Sequence, residues 1–220
     1  MFYLPKPDER LSIIGRTGSG KTQAGAWVLS EACYDKMPYI IIDYKGDALL
    51  NSIERLQEID VNGKIPKKAG LYIVHPPVGD QETIDAFLRR IWEQENTGVF
   101  FDEGYMIHPR SPFLNAILTQ GRSKRVPAIT LTQRPVFCSK FVLSEADHFA
   151  IFHLNTAQDI KTVKGFVPGD FDEMLPQYHC RWYSVKNHEM FTLKPVPSAD
   201  DILQRFDDRL GINKRKKTFI

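Results

Sequence analysis

The run Gly15-Arg16-Thr17-Gly18-Ser19-Gly20-Lys21-Thr22 matches the phosphate-binding pattern G-x-x-x-x-G-K-[ST] at every position. Glycine lets the backbone curl, and successive N–H groups then point inward at phosphate oxygens. The Lys21 ammonium is placed to reach the outer phosphates of ATP, and the Thr22 hydroxyl to bind Mg²⁺. An apolar run, Leu11–Ile14, leads into the loop and a helical pattern follows it. That helix adds the partial positive charge of its N-terminus. A chance match in a Gly-rich turn is the rival reading; the strand before and the helix after weigh against it.

A second group of reactive residues ends the apolar run Val99-Phe100-Phe101-Asp102-Glu103. Asp102 is the expected metal ligand, directly or through water. Glu103 is the expected general base, orienting and deprotonating the water that attacks the terminal phosphate. Taken alone, such a pair also suits a helix cap. Asp43 competes with it, because Ile40-Ile41-Ile42-Asp43-Tyr44-Lys45-Gly46-Asp47 has the same strand-then-acid shape. A kinase could use Asp43 as metal ligand or substrate base; the alternative is support for the loop or a cap on the next turn. A third polar group, Gln133, follows the run Ala128–Leu131 in Thr132-Gln133-Arg134-Pro135. An amide there can contact the terminal phosphate or its water.

These groups need a scaffold. Short apolar runs at Leu11–Ile14, Tyr39–Asp43, Leu71–His75, Val99–Asp102, Ala128–Thr132 and Phe149–Leu154 have the low polar alternation of strands buried on both faces. Helical patterns lie between them, over Lys21–Cys33, Asp47–Glu58, Gln81–Glu95, Phe113–Arg125 and Ala157–Phe166. Alternation of this kind predicts an α/β domain with a mostly parallel sheet and helices on both faces. After Gly165 the pattern changes. Arg181–Val185 and Met190–Leu193 flank Lys186-Asn187-His188-Glu189 and predict a hairpin. Ser198 then caps a last helix, Ala199–Leu210, and Lys214–Lys217 form a basic tail. One domain over 1–220 is expected, with a core at about 8–166, the hairpin and helix at about 167–212 and the tail at 213–220.

Composition narrows the class. The 220 residues are 42% hydrophobic and 25% charged, enough for a proper core. No run is long and apolar enough to cross a bilayer, and Met1–Arg10 lacks an apolar signal core, so a protein that is not secreted is expected. Three scattered cysteines, Cys33, Cys138 and Cys180, argue against a disulfide framework. A net charge of +2 leaves any nucleic-acid contact to local clusters.

Taken together, Gly15–Thr22, Asp102-Glu103, the Ile-Ile-Ile-Asp-x-Lys-Gly-Asp segment and Thr-Gln-Arg-Pro after a strand resemble the FtsK/HerA superfamily of DNA-pumping ATPases. The likeness covers roughly the first 155 residues. It implies a RecA-like (ASCE) P-loop NTPase fold, Mg²⁺-dependent ATP hydrolysis and a homo-oligomeric ring, six-membered as a rule, with catalysis between subunits. A neighbouring subunit's arginine completes each site in that superfamily, on the helix before the Gln strand and in a Gly/Ala-Arg context. By resemblance this is Arg122, with Arg125 as substitute; a solvated helix end is the rival reading. Gln133 becomes the sensor of the terminal phosphate. Chromosome translocases and conjugative coupling proteins usually carry membrane segments and extra DNA-reading domains. A bare core of this length is similar to the packaging ATPases of membrane-containing icosahedral viruses, though nothing after Gly165 aligns with a motif of that group. The implied function is packaging of double-stranded DNA into a capsid, in the host cytoplasm or the virion, with a capsid vertex or portal protein as partner.

A DNA pump must touch phosphates without reading bases. His108 and Arg110, in the segment after Glu103, are candidates; so are Lys64, Lys67 and Lys68, and the tail Lys214–Lys217. Each cluster also suits plain solvated surface. His148 and His153 on one strand would face opposite sides, and His179, Cys180 and His188 make a weak zinc pattern; structural roles are expected. The rival functions are a filament-assembly or conjugative ATPase, a small-molecule or nucleotide kinase with Arg89-Arg90 or Arg122–Arg125 in a lid, and a non-catalytic nucleotide switch.

Overall fold

The computed structural model describes residues 4–211. The tail at 214–217 lies outside the described residues. Among the described residues nine strands form one sheet: β1 (Leu11–Ile14), β2 (Pro38–Asp43), β3 (Gln57–Glu58), β4 (Gly70–Val74), β5 (Gly98–Asp102), β6 (Ala128–Thr132), β7 (His148–Ile151), β8 (Cys180–Ser184) and β9 (Glu189–Leu193). Their order is β3-β4-β2-β5-β6-β1-β7-β8-β9. All pairings from β3 to β7 are parallel; β8 and β9 add antiparallel at one edge. β6, which leads into Gln133, lies between the phosphate-loop strand β1 and the acidic strand β5. The late change of pattern is thus the hairpin β8–β9, which extends the main sheet instead of forming a separate layer.

The described α-helices that flank it are α1 (Lys21–Ser30), α2 (Ala48–Asn51), α3 (Gln81–Gln94), α4 (Pro112–Gln120), α5 (Phe141–Ser144), α6 (Ala157–Lys164) and α7 (Ala199–Arg209). Strand side chains alternate between two cores, as the two-residue period demands. Ile13, Ile41, Phe100 and Leu131 pack with Ala24, Leu29 and Phe206 on the side of α1 and α7. Ile14, Ile42, Phe101 and Phe149 pack with Phe87, Leu114 and Val163 on the side of α3, α4 and α6. Ile202 and Phe206 of α7 are at most 1% exposed, and burying each contributes roughly 2–3 kcal/mol. Asp80, Ser111, Thr156 and Ser198 cap α3, α4, α6 and α7 through their side chains.

The helix expected over 47–58 is one turn only. Asp47 caps α2, Ser52 bonds back to the Ala48 carbonyl, and Arg55 takes a left-handed φ of 65° that no helix continues through. Gln57 and Glu58 then pair with Tyr72 and Ile73 as an edge strand. α1 stops at Ser30, short of Cys33, and Arg209 of α7 donates to the Ser30 and Ala32 carbonyls. α4 ends at Gln120, so Arg122 lies in the turns that follow rather than on the helix, with Val126 N–H returning to the Gly121 carbonyl at 2.8 Å. β7 ends at Ile151, which leaves His153 beyond the strand: its carbonyl accepts from Arg16 N–H at 2.9 Å.

Candidate active site

Parallel strands deliver their C-terminal ends to one edge, and the site is built there. β1 ends at Ile14 and the chain turns through Gly15–Gly20 into α1. Gly20 sits at the N-cap with φ 99°, a conformation that costs any other residue strain. A Cβ on Gly15 would stand 2.5 Å from Phe152 Cβ, so the turn passes too close to the neighbouring chain for a side chain. Lys21 is 5% exposed and its ammonium donates to the Arg16 carbonyl at 3.1 Å, folding the lysine across the loop. Burial first, and then repulsion from Lys45, push its pKa down to about 8, with Asp102 opposing.

Asp102 closes β5 at the same edge and is 1% exposed. Its Oδ2 is buried without a hydrogen-bond partner among the described residues. Burial pushes its carboxyl up to about 6; Lys45 opposes this and Asp43 adds to it. A buried carboxylate with an unsatisfied oxygen near a phosphate loop is chemically suited to a divalent cation. Thr22, in the first turn of α1, is the second oxygen expected of such a site. Glu103 follows with a left-handed backbone, φ 60° and ψ 61°, and 1% exposure. Lys45 Nζ bonds to its Oε1, and its Oε2 is also buried without a partner among the described residues. Ser19 Oγ is a third buried orphan in this small region.

Gln133 completes the edge. The Thr17 hydroxyl of the phosphate loop donates to its Oε1, and its amide nitrogen donates to Tyr105 Oη at 2.9 Å. Tyr105 belongs to the turn directly after Glu103, so one amide joins the loop to the segment that follows the carboxylates. Asp43 is otherwise occupied. Its two oxygens accept from the N–H groups of Lys45, Gly46 and Asp47 and from the Asn51 side chain. These bonds make Asp43 a support of the 45–51 loop.

Arg122 is not near this edge. Its guanidinium bonds to Asp147 at 2.7 Å and lies 3.8 Å from Asp8. Asp147 N–H donates to the Arg10 carbonyl, immediately before β1 begins. The four residues of β1 separate that end from the phosphate loop by about 13 Å. Arg122 is therefore remote from the phosphate loop of its own chain, and its side chain is half exposed. Lys124 pairs with Glu95 and covers Trp92, 3.9 Å from the ring centre. Arg125 is exposed in a left-handed turn. His108 and Arg110 are exposed at the nucleotide edge, whereas Lys64, Lys67 and Lys68 are exposed before β4, at the opposite end. His148 bonds to Glu9 at 2.9 Å and lies against Trp182, a structural role.

Two groups at the site escape a reading of spacing. Lys45 lies in the quoted strand-then-acid segment, but its partner is 58 residues away. Tyr178 comes from the stretch after α6. Its ring carbon Cδ1 is 3.3 Å from where a Cβ on Gly20 would stand. With His153, Met174 and Gln177 it walls a cleft of about 240 Å³ beside Gly18 and Ser19. No local signal marks it. A larger cavity, about 390 Å³ under Trp182 and Phe191, adjoins the start of β7 and has none of the phosphate-loop groups.

No protein-family model matches the chain. The DNA packaging ATPase P9 of Enterobacteria phage PRD1 is 42% identical over 226 residues, spanning 98% of both chains. The chain belongs to that family of packaging ATPases. Solved structures share the fold of this packaging ATPase. The genome packaging NTPase B204 from Sulfolobus turreted icosahedral virus 2, in complex with AMPPCP, matches with a TM-score of 0.70 at 20% identity, over 87% of this chain and 100% of that one. VirB4 of Thermoanaerobacter pseudethanolicus matches with a TM-score of 0.67 at 11% identity, over 88% and 91%. The packaging ATPase has no described helix long and apolar enough to cross a membrane.

Proposed function

We propose that this ATPase is a viral genome-packaging motor: a homo-oligomeric ring, six-membered by resemblance, that hydrolyses ATP to drive double-stranded DNA into a capsid. The observation that carries the reading is the meeting of Gly15–Thr22, Asp102, Glu103 and Gln133 at one sheet edge, in a chain 42% identical to a DNA packaging ATPase along nearly its whole length. The loop amides and Lys21 hold the phosphates. Thr22 and Asp102 hold Mg²⁺, which supplies charge neutralisation at the phosphate oxygens when bound. Glu103 takes a proton from the attacking water; the water oxygen bonds to the γ-phosphorus and the bond to the bridging oxygen breaks. Gln133 relays the presence of the terminal phosphate through Tyr105 to the 104–111 segment. His108 and Arg110 on that segment contact DNA phosphates. Its setting is the host cell and the packaging vertex of the virion, where a portal or vertex protein receives it.

Purified protein is expected to hydrolyse ATP faster when long linear double-stranded DNA is present, with no dependence on base sequence. The stimulation falls as salt rises, because phosphate contacts release counterions. A turnover indifferent to DNA, or one that requires a small phosphoryl acceptor, would contradict the motor.

Arg122 is the trans-acting arginine of this reading. Its distance from its own loop and its exposure support that role. Removing an arginine finger costs about 10³-fold or more in turnover. Arg122→Ala and Lys21→Ala proteins are each expected to be inactive. Mixed rings regain activity, because a subunit with an intact loop then meets a neighbour with an intact arginine. Absence of recovery on mixing, with ring assembly intact, sends the role to another residue.

A further inference from the structure

The sheet order gives a triphosphate in this loop a direction. β1 lies between β6 and β7, so the loop has Gln133 on one flank and Phe152 and His153, which follow β7, on the other. The carboxylates end β5, beyond β6, and the Thr17 hydroxyl bonds to Gln133. The terminal phosphate belongs on that side. The nucleoside then leaves the loop on the side of β7, and there the chain between α6 and β8 places Tyr178. Its ring carbon Cδ1 is 3.3 Å, and Phe152 Cε1 3.6 Å, from where a Cβ on Gly20 would stand. Burial does not account for this ring, which is 49% exposed. Its backbone φ of 62° is left-handed, a strained conformation for a bulky residue. Neighbouring bonds hold it so. Lys164 pairs with Asp172 at 2.6 Å, Arg181 with Glu173 at 3.0 Å, and β8 begins two residues past Tyr178.

A cleft of about 180 Å³ opens beside Gly20, walled by Tyr178, Phe152, Pro195 and Val196. Those four walls are apolar or aromatic, and Gln23, from the first turn of α1, adds an amide. Gln23 Nε2 donates to the Pro197 carbonyl at 2.7 Å. A carbonyl takes only the NH₂ end of an amide, so the orientation of Gln23 is fixed and Oε1 is left as its acceptor. We propose that Tyr178 is the stacking platform for the adenine of ATP in this cleft, and that Gln23 Oε1 accepts from the exocyclic amine of the base. The inference rests on the phosphate-loop reading given above and adds the nucleoside end of the same site. A half-exposed ring held in place presents a flat face to a base without first being ordered. Guanine carries an oxygen where adenine carries that amine, and two acceptors would then face each other.

Calorimetry with Mg²⁺ tests this on three probes: a methylene-bridged ATP analogue, its guanosine counterpart and inorganic tripolyphosphate, which has no base. Tyr178→Leu is expected to weaken the ATP analogue about tenfold, the size of one base–aromatic stack, and to leave tripolyphosphate unchanged. Tyr178→Phe keeps the ring and keeps the affinity. Wild-type protein prefers the ATP analogue to the guanosine one by about tenfold, and Gln23→Leu abolishes that preference. A tyrosine that only supports the loop would move tripolyphosphate and the analogue together. Equal losses for those two probes in Tyr178→Leu, or an unchanged affinity for the analogue, would overturn the stacking role. A wild type indifferent to the base, or a preference that survives Gln23→Leu, would overturn the reading by Gln23. Wild-type protein that binds neither tripolyphosphate nor the analogue would remove the phosphate-loop reading itself; tripolyphosphate bound by a chain whose Tyr178→Leu variant holds the analogue undiminished keeps the loop and removes the base site.

Discussion

Replacing Lys21 with alanine is expected to lower ATP turnover by at least about 10²–10³-fold, the cost of removing one electrostatic stabiliser of the transferred phosphoryl group. The variant should lose nucleotide affinity as well, since the same ammonium meets the ground-state phosphates. The nucleotide-free fold should not suffer. Lys21 is buried, and its pKa falls from 10.5 to about 8 on folding. A depressed lysine pKa means the folded chain disfavours the charge. Below about pH 8 that burden is complete, and it is lost as pH rises through about 10.5. At neutral pH it is on the order of 3 kcal/mol. Part is returned by the bond to the Arg16 carbonyl, which alanine also removes. Melting of nucleotide-free Lys21→Ala should therefore occur at or a few degrees above the wild-type temperature, at about 2–4 °C per kcal/mol for a chain of this size. A variant that melts far lower would mark Lys21 as a structural residue.

Glu103→Gln is the second large effect. A positioned general base contributes about 10²–10⁴-fold, and glutamine keeps the shape of glutamate without its ability to accept the proton. Hydrolysis should fall by that factor while ATP remains bound, so the protein accumulates with its nucleotide in place. Single-turnover measurement separates the two quantities, because binding survives and the chemical step does not. Full activity in this variant would remove Glu103 from the reaction. In the nucleotide-free chain Glu103 has a left-handed backbone, is enclosed and bonds to Lys45.

What could be read from residues alone follows from how local each feature is. The phosphate loop was legible because eight consecutive residues carry its chemistry, with strand and helix patterns on either side. Asp102, Glu103 and Gln133 were legible for a related reason: each ends an apolar run, and parallel strands bring such ends to one edge. The insertion of β6 between β1 and β5 was not legible, since spacing alone does not order strands. The short α2 was misjudged because Leu49, Leu50, Ile53 and Leu56 mimic a helical stripe. All four meet the same core, yet the chain reverses at Arg55. Lys45 and Tyr178 were out of reach because their partners are distant in sequence and no periodicity announces them. Arg122 was named from its Gly-Arg context; its pairing with Asp147 and Asp8 at the far end of β1 emerges only in three dimensions.

The central claim is that backbone amides of Gly15–Thr22 enclose a triphosphate beside Asp102 and Glu103. A crystal structure of Glu103→Gln protein with ATP and Mg²⁺ tests it directly. The account predicts the β- and γ-phosphates inside the loop, the metal between Thr22 and Asp102, Gln133 near the terminal phosphate, and residue 122 of an adjoining subunit at the same phosphate. Nucleotide found in another cavity, or in the loop with its phosphates turned away from Lys21 and Asp102, would contradict it.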